Sequence, residues 1–466
     1  MRLVIAGLVM LGTGFAAKDD WPQFRGPNGS GVAAAKGLPV EIGPQKNVVW
    51  KTALPAGHSS PAVAGKRIFV TGSEGDELLT LALDRDTGRV VWKRAVTRTR
   101  LTKMRMKNTP ASPSPVTDGS RVFAFFDDFG MLAYDAGGKE LWRLPLPPFN
   151  NPYGMAASPI LAGGNVILLC DQDTGSYLLA VDSKDGRQRW RTDRAEFTHG
   201  YATPVVYRDQ IIVSGSYQTV AYQASTGEKL WWVDGMAWEA KSTPVIAGDH
   251  LFVHSWMASP AELGFKTAAP PYPEALVAHD ANKDGRITRE EAPDEEMKKA
   301  WFLLDLDHDG AMNEREWNYH RARSTARNGL YAIRLGGRGD LTGNARWRLE
   351  KQLPNIPSPV LYEDVLYVLK EGGIVTALDP ATGAVLKQGR LEGALDPYFA
   401  SPVAADGKVY MVSMNGKVAV LKAGRDWQLL GVSDLGEECW ATPAIAGERL
   451  YIRTATALYS FGNKRS

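Results

Sequence analysis

The stretch ALDRDTGRVVW at residues 82–92 has the form Ala-x-Asp-x-x-x-Gly-x-x-x-Trp, and similar stretches recur along the chain. AVDSKDGRQRW at 180–190 repeats the pattern fully, and AYQASTGEKLW at 221–231 keeps its Ala, Gly and Trp. Asp and Gly favour a tight turn between two antiparallel strands. A Trp on the second strand can then cover apolar surface between neighbouring sheets. The recurrence predicts a repeated β-sheet unit.

Weaker copies extend this pattern over the rest of the chain. The segments 138–142 and 343–347 keep the Gly and the Trp, whereas Lys387 takes the place of Trp in the copy at 377–387. The copy that begins at Ala419 is degenerate.

A Ser-Pro or Thr-Pro pair followed by apolar residues gives a second, more regular signal. The pairs begin at Ser60, Ser114, Ser158, Thr203, Thr243, Ser358, Ser401 and Thr442. Apart from one gap of 115 residues, successive pairs are about 40–54 residues apart, and one four-stranded propeller blade takes roughly 40–45 residues. Eight pairs therefore predict eight blades; an open β solenoid is the alternative.

The last copy is incomplete, and its missing strand is found at the other end of the sequence. Residues 451–461 supply strands, but no Gly-x-x-x-Trp segment follows them. The segment NVVWK at 47–51 has the required character. We expect it to complete the eighth blade and close the ring, because closure removes exposed sheet edges.

These Ala-x-Asp-x-x-x-Gly-x-x-x-Trp repeats resemble those of the pyrroloquinoline-quinone-like β-propeller superfamily. The segment DWPQFRGPNG at 20–29 also resembles the opening of its secreted bacterial members. The resemblance covers nearly all of the expected mature chain except one insert, and it implies the propeller fold. It leaves function open, because the superfamily includes redox enzymes and non-enzymatic scaffolds.

The long gap holds an insert with two segments that match the calcium-binding loop of an EF-hand. DANKDGRITREE at 280–291 and DLDHDGAMNERE at 305–316 have oxygen-bearing residues at loop positions 1, 3 and 5, Gly at 6 and Glu at 12. The expected ligands, including backbone carbonyls at position 7, are Asp280, Asn282, Asp284, Arg286, Thr288, Glu291, Asp305, Asp307, Asp309, Ala311, Asn313 and Glu316. We expect two calcium ions acting as a structural clamp; the alternative is a solvated acidic loop.

The insert's other residues add three expectations. Ile287 and Met312, at position 8 of each loop, should form a short β bridge. The 13 residues 292–304 fit a single helix. The second loop has four side-chain carboxylates and the first has three, so the second should bind calcium more tightly.

The predicted fold class is therefore all-β: an eight-bladed β-propeller closed by an N-terminal strand, with a small α-helical EF-hand insert in blade 5. The expected division is a signal peptide at 1–17, the N-terminal segment and blades 1 to 5 (first part) at 18–257, a Pro-rich linker with the EF-hand pair at 258–327, and the rest of blade 5 with blades 6 to 8 at 328–466.

Composition and the N-terminus limit the class of protein. With 44% hydrophobic residues, a formal net charge of +2 and only two cysteines, the chain of 466 residues is not a disordered protein, a disulfide framework or a Cys-rich zinc protein. No nucleic-acid partner is expected. Arg2, a short apolar run and small residues near Ala17 predict a cleaved export signal, with an uncleaved anchor as the alternative. No other segment is expected to cross a membrane, so the mature protein should be periplasmic or secreted.

The segments before the Ser/Thr-Pro pairs should line one mouth of the central channel. They supply the candidate ligand-binding residues His58, Tyr153, His199, Tyr201, Trp238, Glu239, Lys241, Tyr398 and Trp440. Converging aromatic and polar groups suit a small-ligand site, although they could equally plug and hydrate the channel.

Three functions remain. The favoured one is an exported calcium-binding propeller that acts as a non-catalytic scaffold or binding protein in the cell envelope, with an envelope protein or a polysaccharide as partner. The second is a quinone-dependent dehydrogenase with its cofactor in the channel. Pyrroloquinoline quinone is not expected, because the superfamily's enzymes often use an adjacent Cys pair and this chain has none. The third is an extracellular polysaccharide-binding propeller.

Overall fold

The strands of the protein are grouped in eight sheets arranged as the blades of a propeller. The computed structural model describes residues 19–102, 108–257 and 269–463. The expected signal peptide at 1–17 and the start of the Pro-rich linker lie outside the described residues. Innermost strands of most neighbouring blades contact one another around the channel. The predicted eight-bladed all-β propeller is confirmed.

Each blade has four antiparallel strands, the shortest of them at the channel, and blade 4 has an additional short outer strand in parallel. From the channel outward, the strands are Ala62–Ala64, Arg67–Glu74, Glu77–Asp84 and Val90–Thr97 in blade 1; Val116–Thr117, Arg121–Phe126, Gly130–Asp135 and Glu140–Pro145 in blade 2; Ile160–Ala162, Asn165–Cys170, Tyr177–Asp182 and Gln188–Asp193 in blade 3; Val205–Tyr207, Gln210–Ser214, Gln218–Gln223, Lys229–Asp234 and Gly339–Asp340 in blade 4. They are Val245–Ala247, His250–Ser255, Gly329–Arg334 and Ala345–Leu349 in blade 5; Val360–Tyr362, Val365–Lys370, Ile374–Leu378 and Val385–Arg390 in blade 6; Val403–Ala405, Lys408–Val412, Lys417–Lys422 and Gln428–Asp434 in blade 7; Ala444–Ala446, Arg449–Arg453, Ala457–Phe461 and Val48–Ala53 in blade 8.

The ring is closed by the N-terminal strand, as predicted. Val48–Ala53 runs antiparallel to Ala457–Phe461, with Trp50 opposite Ser460. The eighth blade therefore combines the two ends of the propeller sequence, and no strand has to be left unpaired at the junction.

The Ser/Thr-Pro pairs join neighbouring blades at the channel. The backbone N–H of Ser60 in blade 1 donates to Ser114 Oγ in blade 2 at 2.8 Å. The same bond, at 2.9 to 3.1 Å, joins Ser114 to Ser158, Ser158 to Thr203, Thr243 to Ser358, Ser358 to Ser401 and Ser401 to Thr442. These hydroxyl residues are buried, so each bond satisfies a backbone donor that has lost contact with water.

The Gly and Trp of the repeat meet between blades rather than within one. The Trp50 ring lies against Gly88, and Trp50 Nε1 donates to the Arg85 carbonyl at 3.1 Å. Gly88 has φ +73°, and a Cβ there would come within 2.5 Å of the Trp50 ring. Four further junctions use the same contact: Trp92 on Gly138, Trp142 on Gly186, Trp190 on Gly227 and Trp347 on Gly383. The turn therefore needs glycine for its backbone conformation and for the space taken by the Trp.

The copy of the repeat at 343–347 does not form the tight turn that the pattern predicts. Gly343 lies in a 3-10 helix, Thr342–Asn344, and no Trp contacts it. The strand Gly339–Asp340 instead pairs with Trp231 and Trp232 of blade 4, and Trp231 Nε1 donates to Gln210 at 2.9 Å. This junction is sealed by an extra strand because the blade-5 turn is longer than the others.

The insert leaves blade 5 after His250–Ser255 and returns at Gly329–Arg334, and its described part has three α-helices. They are α1, Tyr272–His279; α2, Glu295–Lys299; and α3, Glu314–Thr325. The expected bridge is present, because Ile287 pairs with Met312. The helix expected at 292–304 is split into α2 and a 3-10 turn, Trp301–Leu303. None of the described helices is long and apolar enough to cross a membrane.

Residues 20–33, the N-terminal plug, cross one end of the channel. Trp21 pairs with Val63 in the innermost strand of blade 1, and Ala33 N–H donates to the Ala404 carbonyl in blade 7 at 3.0 Å. Buried Arg25 donates to the Pro359 carbonyl beside blade 6 at 2.6 Å. The Pro22 carbonyl also accepts from the Thr117 N–H in blade 2 at 2.9 Å, so this single segment contacts blades 2 and 6, which lie on opposite sides of the ring.

Candidate functional site

A cavity of about 500 Å³ occupies the channel above the N-terminal plug. We call this cavity the well. Six of the predicted channel residues line it, namely His58, Tyr153, Tyr201, Lys241, Tyr398 and Trp440. The other lining residues are Phe24, Ser60, Asn108, Ser112, Ser114, Ala156, Ser158, Thr203, Asn355, Ile356, Glu371, Pro397, Phe399 and Thr442.

One side of the well is aromatic. The Trp440 and His58 rings stack at a centroid distance of 4.8 Å and an interplanar angle of 7°, and Phe399 lies 4.5 Å from Trp440. Burial, assisted by the charge of Arg453, lowers the pKa of His58 to about 4. His58 is therefore neutral at physiological pH and contributes a flat, uncharged surface.

The other side of the well is polar, and its side chains are held by hydrogen bonds and one ion pair. Lys241 Nζ lies 2.5 Å from Glu239 Oε2 and donates to Asn355 Oδ1 at 2.6 Å. The Asn355 N–H donates to Glu371 at 3.0 Å. Lys241, Asn355 and Glu371 are held as a unit, which gives the well a fixed polar edge opposite the aromatic one.

Three of the predicted channel residues lie behind the wall of the well instead of lining it. His199 and Trp238 are buried, and Glu239 contacts the well only through Lys241. Trp238 Nε1 donates to Thr198 Oγ1 at 2.7 Å, and its ring lies 4.9 Å from that of His199. The polar groups of His199, Trp238 and Glu239 are buried behind the wall because each has a hydrogen-bond partner there.

His199 is held charged by two carboxylates. Its Nδ1 bonds to Asp173, and its Nε2 lies 3.4 Å from Glu239. Burial disfavours the charge, but Asp173 and Glu239 outweigh it and raise the pKa of His199 to about 9. Burial also opposes the charge of Glu239, yet Lys241 and His199 hold the pKa of Glu239 well below its usual range.

The second calcium-type loop brings its carboxylates together. The side-chain oxygens of Asp305, Asp307 and Asp309 can lie within 4.8 Å of one another. No other group of three His, Cys or acidic ligands comes this close in the part of the chain that is described. Glu316 folds back over the loop, accepting from the N–H groups of Leu306 at 2.7 Å and of Asn313 at 2.9 Å. An all-oxygen set of this kind fits a hard cation such as calcium.

The first loop has the same fold but a side chain that reaches into the second. Asp280 accepts from Gly285 N–H at 2.9 Å, and Glu291 accepts from Thr288 N–H at 2.9 Å. Arg286 donates to both oxygens of Asp309 at 2.6 Å and to the Ala311 carbonyl at 2.7 Å. Calcium at the second loop would have to displace this guanidinium, because Asp309 and Ala311 are expected ligands.

The sequence analysis did not predict several residues that line the well. Phe24 comes from the N-terminal plug, and Asn355, Glu371 and Phe399 come from loops of blades 6 and 7. Phe24 carried a usable signal, because it is an aromatic residue between turn-forming Pro and Gly in the segment at 20–29 that resembles the secreted propellers. The others have no pattern that marks them.

Comparisons with known proteins identify the family and the fold. The family described as "Outer membrane protein assembly factor BamB" matches residues 41–267 and 338–461. BamB of Shewanella oneidensis is 24% identical over 358 residues, covering 66% of this chain and 84% of that protein. The crystal structure of BamB from Moraxella catarrhalis aligns with a TM-score of 0.55 and 13% identity, covering 90% of this chain and 99% of that one.

A redox enzyme has the same fold. A europium-containing methanol dehydrogenase aligns with a TM-score of 0.61 at 9% identity, covering 96% of this chain and 98% of that one. At this identity the likeness concerns the fold alone. The family match is interrupted at 268–337, so the insert is an addition to the shared propeller. The chain belongs to the outer membrane protein assembly factor BamB family.

Proposed function

We propose that this protein is an exported, calcium-loaded scaffold of the cell envelope whose well binds a segment of a partner protein without catalysing a reaction. Family membership supports the scaffold role, since the relatives are named as assembly factors of outer membrane proteins. The well has a volume of about 500 Å³ and combines an aromatic side with a fixed polar edge, which is the usual character of a binding site.

The family match carries this proposal, and the state of the titratable groups supports it. A general acid or base works best with a pKa near the working pH. The pKa of His58 is about 4, that of His199 is about 9 and that of Glu239 is well below its usual range. These groups keep one charge state near neutral pH, so they suit recognition better than proton transfer.

A photo-cross-linker in place of Phe399 tests the role of the well. We expect light-dependent adducts with an envelope protein when p-benzoylphenylalanine replaces Phe399 in cells. The same replacement at Val385, an exposed residue on the outer strand of blade 6, should give none. Adding Lys241→Ala should reduce the Phe399 adduct, because it removes the polar edge.

Other results of this experiment would contradict the proposal. An adduct whose added mass is removed by glycosidase would favour the polysaccharide-binding function. In a parallel measurement, stoichiometric retention of pyrroloquinoline quinone and calcium after desalting would favour the dehydrogenase.

Calcium loading is testable by titration of the chelator-treated protein. We expect two sites, with Glu316→Gln removing the tighter one and Glu291→Gln the weaker one. Arg286→Ala should tighten the second site, because its guanidinium no longer competes for Asp309.

At a free calcium concentration of 100 Kd, one site should add about 2.7 kcal/mol to the free energy of unfolding. Equal loss of calcium affinity in the two Glu variants would contradict the assignment of the tighter site to the second loop. A melting temperature that does not change when chelator is added would contradict a structural role for calcium.

A further inference from the structure

The insert rests on blades 3 and 4, although it leaves the chain in blade 5. On α3, Arg315 donates to the carbonyls of Asp173 at 3.3 Å and Ala195 at 3.1 Å. The Tyr319 hydroxyl donates to the Glu196 carbonyl, and the Tyr217 hydroxyl donates back to the Tyr319 carbonyl at 3.0 Å. Helix α3 is therefore anchored along its length on the propeller.

The second calcium-type loop also contacts the propeller directly. Asn150, in the connection between blades 2 and 3, donates to the Leu306 carbonyl at 2.7 Å. Its Oδ1 lies 3.1 Å from His308 Nε2. Leu306 and His308 are positions 2 and 4 of the loop, so the backbone that shapes the ion site is fastened to the propeller.

The end of α3 covers Trp238. The guanidinium carbon of Arg323 lies 3.1 Å from the centre of the Trp238 ring. The Arg323 side chain is buried, and its Nη1 and Nη2 have no hydrogen-bond partner among the described residues. The Trp238 ring and the attraction of the nearby Glu239 and Asp173 carboxylates together compensate this arginine for its loss of water.

A short series of contacts joins Trp238 to the well. Its ring packs on His199, which bonds to Glu239; Glu239 pairs with Lys241, and Lys241 lines the well. Movement of α3 away from Trp238 would expose the Arg323 charge and release this cluster.

We infer that the second calcium loop and the well are coupled, so that calcium at this loop holds α3 on Trp238 and fixes Lys241 in the well. The inference rests on the calcium loading proposed above. Glu316 is the link at the insert end, because it is an expected ligand and also closes the capping box of α3 with Asn313. Coupling of two binding equilibria is reciprocal, so anything that fastens the loop to the propeller also raises its calcium affinity.

Fluorine NMR of the full chain labelled with 5-fluorotryptophan gives a reporter at the proposed contact. The Trp238 resonance is assigned by its loss in Trp238→Phe. We expect calcium to shift this resonance in the wild type and in Glu291→Gln, and to leave it unmoved in Glu316→Gln. Calorimetry on the same samples measures calcium binding itself. No calcium binding would overturn the proposed function, whereas binding at both loops without a Trp238 shift would overturn only the coupling.

Asn150→Ala tests whether a contact on the propeller changes calcium affinity at the second loop. Asn150 is neutral, lies outside the insert and is not an expected ligand. We expect its removal to weaken calcium at the second loop about fivefold or more, the range of ordinary allosteric coupling, and to leave the first loop unchanged. Asn415→Ala is the matched control, because Asn415 bonds to Asp396 in a blade-7 loop that has no described contact with the insert. Equal calcium affinities in Asn150→Ala and Asn415→Ala would overturn the coupling.

Discussion

Replacing Asp171 with alanine is expected to lower the free energy of unfolding by about 3–5 kcal/mol, the usual cost of leaving a buried charge without its partner. Asp171 accepts from Arg194 Nε and Nη2, each at 2.7 Å, and both side chains are fully buried in blade 3. The Arg194 guanidinium also bonds to Tyr222 in blade 4. The pair therefore connects two blades beneath the surface on which the insert rests.

Two controls separate this effect from the loss of an ordinary ion pair. Glu74→Ala removes the exposed pair with Lys93, which has a nitrogen–oxygen distance of 2.7 Å, and should cost at most about 1 kcal/mol. The double variant Asp171→Leu with Arg194→Met removes both buried charges and should recover most of the loss. Urea unfolding measures all three. A similar loss in Asp171→Ala and Glu74→Ala would contradict the prediction.

Gly88→Ala is expected to open the junction at which the ring closes, at a cost of roughly 2–5 kcal/mol. About 1–2 kcal/mol comes from a side chain in the left-handed conformation, and about 1–3 kcal/mol from forcing a Cβ into the Trp50 ring. Trp50 lies on the closing strand of blade 8 and Gly88 in a turn of blade 1. The substitution thus acts on the contact between the first and last blades.

Gly75→Ala supplies the matched comparison. Gly75 has φ +55°, and a Cβ there would meet nothing within 4 Å. The free energy of unfolding of Gly75→Ala should fall only by the cost of placing a side chain in the left-handed conformation, about 1–2 kcal/mol. The difference between the two variants in urea unfolding measures the Trp50 contact; equal losses would show that this contact does not hold the ring.

The fold was predictable because its decisive interactions repeat. A Gly in a turn and a Trp on the next strand serve the same junction many times, and the spacing of the Ser/Thr-Pro pairs counts the blades. The tight turn predicted at Gly343 is absent, although the residue types match the pattern. The connection between Gly329–Arg334 and Ala345–Leu349 is longer than the matching turns of the other blades. A local pattern does not show which strand a longer loop will join.

The site was predictable only in part, for a related reason. The segments before each Ser/Thr-Pro pair do lead to the channel, which located residues such as Tyr201 and Trp440. The inward turn of His199 depends on Asp173, and the burial of Trp238 depends on Arg323 in the insert. These partners are distant in sequence and do not recur at a fixed spacing, so the sequence pattern does not predict the contacts.

The strand that closes the ring has a consequence for the order of synthesis. Val48–Ala53 leaves the ribosome long before its partner Ala457–Phe461. Until that partner emerges, blade 8 cannot form, and the early strand has no sheet to join. Contacts between such distant segments form slowly. The chain therefore completes its ring only after Ala457–Phe461 has been synthesised, and until then the ring stays open.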